Sequence, residues 1–89
     1  MSRFPSAILD SVLAKKKTLT LRMRGNSTPF ILANNTLFVD GYPAPLTEGQ
    51  LYDHVYRMLI SDDLVDVVVG GDVYTPGANG RLVTKARAE

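Results

Sequence analysis

The sequence predicts an α+β fold: two helices packed on one face of an antiparallel sheet of about four to six strands, in the order α-β-β-β-α-β-β(-β). Three observations carry that expectation. Apolar residues recur at helical spacing near the start of the chain, period-two alternation sets in from Thr18, and a capping box at Thr47 to Gln50 opens a second helix. With 89 residues there is room for one core, so residues 1–89 read as a single domain in which residues 85–89 are expected to fray.

Phe4, Ile8 and Val12 stand four apart with Leu9 and Leu13 beside them, and Pro5 suits a first helical turn, so residues 5–16 read as an amphipathic helix. Leu19, Leu21 and Met23 then alternate with Thr18, Thr20, Arg22 and Arg24, the pattern of a half-buried strand with a polar outer face. Gly25-Asn26-Ser27 breaks it, residues 29–33 and 36–40 read as two further strands, and Asn34-Asn35 turns the chain between them. Gly41-Tyr42-Pro43-Ala44-Pro45 reads as a loop, because each proline restricts the residue before it.

Thr47 as N-cap, Gln50 three residues on, and Leu46 with Leu51 as a hydrophobic staple predict a helix over 48–61. Its stripe of Leu51, Val55, Met58 and Leu59 faces the sheet, and Ser61-Asp62-Asp63 ends it. The β-branched run Leu64 to Val69, the turn Gly70-Gly71 and the return over 72–75 read as a hairpin. A loop over 76–80 and a last short strand over 81–84 complete the chain.

Composition bounds the function classes. The chain is 45% hydrophobic and 21% charged, which places it among globular rather than disordered proteins. The absence of cysteine excludes a disulfide framework and thiolate metal sites and favours a reducing compartment, so a cytoplasmic location is expected. No apolar run has the length of a membrane span and the first residues lack a signal-peptide pattern, so no membrane partner is expected.

Net charge is +1, but its distribution is uneven: six cations against Asp10 give the first 24 residues +5, and residues 40–72 carry −6. Lys15, Lys16, Lys17, Arg22 and Arg24 are therefore candidate nucleic-acid contacts. The competing reading is ordinary: lysines complement a helix C-terminus and arginines solvate an open sheet face.

Tyr52 and Tyr56 lie four apart on the second helix, off its apolar stripe, and exposed tyrosines make good anchors for a protein partner. The alternative is a helix buried over a wide arc with the hydroxyls at its rim. In the hairpin, Val68 and Tyr74 are further partner candidates, because a β-branched strand left at an edge invites another chain, with Asp66 and Asp72 as its only guards. A central position in the sheet would remove that invitation.

The inventory for catalysis is thin. His54 is the only histidine and has no cysteine to join it, and Asp62, Asp63 and Asp66 lack calcium-loop spacing and read as helix termination and surface charge. Val69-Gly70-Gly71-Asp72 and Gly77-Ala78-Asn79-Gly80-Arg81 lack phosphate-loop spacing and read as turns. No serine sits in a nucleophile-elbow context, and no cofactor motif is present.

The expected function is a small non-catalytic interaction module of adaptor or inhibitor type, binding a protein partner or itself as a homodimer. A nucleic-acid binder using the basic residues is the alternative, and a small-ligand sensor using the glycine-bearing loops a weaker one.

Overall fold

The computed structural model describes residues 2–77 and 80–84. Its elements are β1 (Ser2–Arg3), α1 (Pro5–Lys15), β2 (Leu19–Met23), β3 (Phe30–Ala33), β4 (Thr36–Val39), β5 (Tyr42–Pro43), α2 (Glu48–Leu59), β6 (Leu64–Val69), β7 (Asp72–Pro76) and β8 (Leu82–Thr84). The class is α+β, as the periodicities predict. The expected fraying of residues 85–89 and the Ala78-Asn79 part of the expected loop lie outside the described residues.

Local chemistry accounts for the helices. Pro5 opens α1, and Lys16, in the left-handed region at φ 52°, closes it while the Lys17 amide donates to the Val12 carbonyl at 3.0 Å. At α2 the capping box forms in both directions: the Gln50 amide donates to Thr47 Oγ1 at 3.3 Å, and the Thr47 amide to Gln50 Oε1 at 3.0 Å. Two amides that helix geometry would orphan are thereby satisfied.

The strands form one antiparallel sheet in the order β1-β8-β7-β6-β2-β3-β4-β5. Eight strands exceed the four to six expected, and the two additions, β1 and β5, are two residues long. Residues 41–45 are thus not wholly a loop. Asp40 at φ 53° and Gly41 at φ 85° make a two-residue left-handed turn that returns Tyr42 and Pro43 alongside Val39 and Phe38. Pro43 is tolerated there because β5 is an outer strand with no further neighbour to receive an amide.

Around β2 and β6 the chain repeats one element order. Each helix leads into a strand at the centre of the sheet, and a meander then runs outward from it. The 64–75 hairpin is therefore central, with β6 paired on β2 and β7 paired on β8, so the expectation of docking along an edge beside it is overturned. The true edges are blunted by brevity, and β5 by Pro43 as well.

Ile8, Leu9 and Val12 of α1 and Leu51, Val55, Met58 and Leu59 of α2 bury against Leu19, Leu21, Leu32, Leu37, Leu64, Val67, Tyr74 and Leu82. The register pairs Leu19 with Leu32, Leu32 with Leu37, Leu21 with Val67 and Val67 with Tyr74, so all belong to one face of the sheet. Both helices cover that face.

Candidate functional site

The other face carries no helix, and its make-up departs from the polar outer surface that the Thr18/Thr20/Arg22/Arg24 alternation suggests. Val73 pairs with Val68, Val68 with Thr20, Thr20 with Ile31, Ile31 with Phe38 and Phe38 with Pro43, an unbroken cross-strand row over six strands. Neighbours directly opposite in a ladder bring their Cβ atoms to about 5 Å, so the row forms a continuous band. Ile31 is 36% exposed, and Val68, Val73 and Phe38 are each half-buried. Thr75 and Val83 flank the band on one side, Ala33 and Thr36 on the other.

Arg22 and Asp66 are the charged pair of this face among the described strand residues. They oppose each other across β2 and β6; Arg22 Nε donates to Asp66 Oδ1 at 2.7 Å, and Nη2 donates to Oδ2. Asp66 is 2% exposed, so the expectation that it is a surface charge at a helix end is corrected: it is a buried carboxylate held by a two-pronged guanidinium. Asp66, by its hydrogen bond first and its charge second, raises the Arg22 pKa further above its ordinary value. Just beyond the pair the register shifts: Met23 faces Leu64, leaving Val65 as an unmatched, exposed residue on β6.

The residues singled out as partner contacts do not form one patch. Val68 lies in the middle of the helix-free face, whereas Tyr74 is 6% exposed in the core beneath the helices. Tyr52 and Tyr56 belong to the helical layer, half-buried with their rings stacked at 6.2 Å between centroids and 11° between planes. Burial first, then the charge of Asp10 and a hydrogen bond to it, push the Tyr52 phenol above its ordinary pKa, which ties α2 to α1. Both rings pack partly against the core and keep part of their surface in solvent.

Nor do the basic residues converge. Lys15, Lys16 and Lys17 stand exposed at the start of β2, and Arg24 lies past its far end, about 23 Å away at strand rise. Arg22, between them, already holds Asp66.

Ile31, Phe38 and Val73 escaped sequence reasoning, although a signal for them exists. Phe30-Ile31-Leu32, Leu37-Phe38-Val39 and Val67-Val68-Val69 are apolar at both parities, the pattern of strands meant to be covered on both faces.

A cavity of about 490 Å³ opens at the end of the sheet between α2 and the segment after β7, lined by Arg24, Arg81, Asp62, Ser61, Leu64 and Pro76 among others. Arg81 is steered by stacking over Phe4, its guanidinium carbon 4.3 Å from the ring centroid. Asp62 and the negative end of the α2 dipole share this cleft with the two arginines, so it favours neither anions nor cations strongly. A second cavity, of about 470 Å³, lies among Leu13, Ala14, Asn35, Leu46, Glu48 and Leu51, its polar side chains being Asn35 and Glu48. No helix among the described residues is long and apolar enough to cross a membrane. No family model, curated protein or solved structure matches the chain.

Proposed function

We propose that this chain is a non-catalytic interaction module, of adaptor or inhibitor type, that docks a protein partner through the helix-free face of its sheet. The observation that carries this reading is the row Val73-Val68-Thr20-Ile31-Phe38-Pro43, an apolar band where an antiparallel sheet facing water ordinarily turns polar side chains outward. Depletion of charge around a band of aliphatic and aromatic side chains is the composition of an interface core. Arg22, clamped by Asp66 with its side chain 59% exposed, supplies an ordered donor at the margin of the band.

The test compares immobilised wild type with an Ile31→Glu variant matched for fold by circular dichroism. A protein, the chain itself included, retained by the wild type and lost from the variant supports the reading. Equal retention by both overturns it, as does binding of duplex or single-stranded nucleic acid that weakens steeply with salt and ignores the Ile31 change.

A further inference from the structure

We infer that the occupant of the helix-free face is a second copy of this chain, the two sheets packing face to face about a two-fold axis that runs along β2 near Thr20. The inference rests on the docking reading above and names its partner. Charge is the first argument. Among the described strand residues this face contributes Arg22 and Asp66; because Arg22 stands on β2, the axis brings the Arg22 side chains of the two copies opposite each other, each compensated by the Asp66 of its own chain. A strongly charged partner would find nothing there to complement it.

Symmetry is the second argument. Of the five strands β7-β6-β2-β3-β4, β2 is the middle one, with Val68 and Ile31 flanking Thr20 and Val73 and Phe38 beyond them. Rotation about an axis along β2 lays Val68 over Ile31 of the second copy and Val73 over its Phe38, so each apolar side chain meets another and the patch is self-complementary. Aligned sheets packed this way interdigitate at about 10 Å separation.

Size is the third argument. At about 4.8 Å between strands, Val73 and Phe38 are separated by roughly 19 Å, and the flanking rows extend the patch by about 7 Å to either side along the strands. Two such faces together bury less than about 1,000 Å², the size class of weak, transient contacts, which fits a reversible dimer rather than a permanent one. Edge pairing is the other route by which sheets associate, and the two-residue outer strands, one carrying Pro43, leave it little backbone to use. With the helices on the outside, the assembly has four layers: helix, sheet, sheet, helix.

Sedimentation velocity of the wild type from about 1 to 100 µM should show a monomer giving way to a dimer, and Ile31→Glu and Thr20→Glu, each checked for fold, should remain monomeric throughout. The chain has no cysteine, so single-cysteine variants give a clean second readout. A short bis-maleimide should couple Thr20→Cys into a covalent dimer in high yield and leave His54→Cys, exposed on α2, uncoupled. This holds even if the charged variants fail to fold. A wild type that stays monomeric and an uncoupled Thr20→Cys overturn the second copy; if Ile31-dependent capture of a different protein persists, the docking reading stands, and if it is absent too, both fall. A dimer that survives both glutamate variants places the contact elsewhere and also overturns the inference.

Discussion

Arg22 and Asp66 face each other across the two central strands, and a carboxylate that is 2% exposed is held on the helix-free side of the sheet by a guanidinium whose side chain is 59% exposed. The pair fixes the register of β2 on β6 at the place where a bulge follows, because a one-residue slip would part the charges and turn Leu21 and Val67 away from the core. Arg22→Met and Asp66→Leu are each expected to lower the melting temperature by several degrees. Arg22→Met has the larger effect, because it takes the bidentate partner from a buried charge. The double variant Arg22→Met/Asp66→Leu should recover part of the loss. A double-mutant cycle by thermal melts checks this, and strictly additive losses would mean the pair is not coupled.

The start of α2 supports two opposite changes within one turn. Thr47→Ala removes the acceptor for the Gln50 amide and is expected to cost about 0.5–2 kcal/mol. Gly49→Ala is expected to add about 0.4–1 kcal/mol, because a Cβ there meets nothing within 4 Å and the unfolded chain loses freedom. In a domain of this size each kcal/mol corresponds to a shift of about 4–8 °C, within reach of calorimetry. Shifts of the same sign would contradict the helix start at Thr47.

Much of this architecture is legible locally. The capping box, the period-two alternation over Leu19 to Met23 and the Asn34-Asn35 turn, at φ 51° and 59°, each need only neighbouring residues. What escaped needs the whole sheet. β1 and β5 are too short to carry a period, Arg22 and Asp66 are 44 residues apart, and the placement of Val68 beside Thr20 follows from a register between strands joined through α2. The apolar doublets of β3, β4 and β6 announce covering on both sides, but which parity faces the helices is decided by where α1 and α2 dock.

Tyr52 gives the α1–α2 contact a spectroscopic signature. Burial, then the charge of Asp10 and the hydrogen bond to it, hold its phenol above the ordinary value near 10. A raised folded-state pKa means stability that is present below the unfolded pKa and lost as pH climbs through the folded one, so this contribution fades only above about pH 10. Absorbance titration at the tyrosinate band should show a late-ionising component that is lost in Tyr52→Phe and moves to lower pH in Asp10→Asn. No movement in Asp10→Asn would leave burial as the sole cause.

Two adjacent valines distinguish the faces of the sheet. Val67 is fully buried beneath the helices and pairs with Leu21 and Tyr74; Val68, the next residue, is half-buried on the helix-free side between Thr20 and Val73. A lysine at 67 must carry its ammonium into an apolar core with no carboxylate among the surrounding core residues, so Val67→Lys is expected to cost more than about 4 kcal/mol and to leave little folded protein. At 68 the same lysine can run its methylenes along the band and release its charge to water, so Val68→Lys should lose roughly 1 kcal/mol of strand preference and packing. Urea titrations followed by circular dichroism measure both, with the slope of the transition reporting whether the folded state has kept its extent of burial. The Val68 variant should also lose the concentration dependence of its sedimentation, because the ammonium would lie at the centre of the sheet-to-sheet contact. Equal losses at 67 and 68 in dilute, monomeric protein would mean that both faces of β6 are covered within one chain, and the docking face would then have to be sought elsewhere.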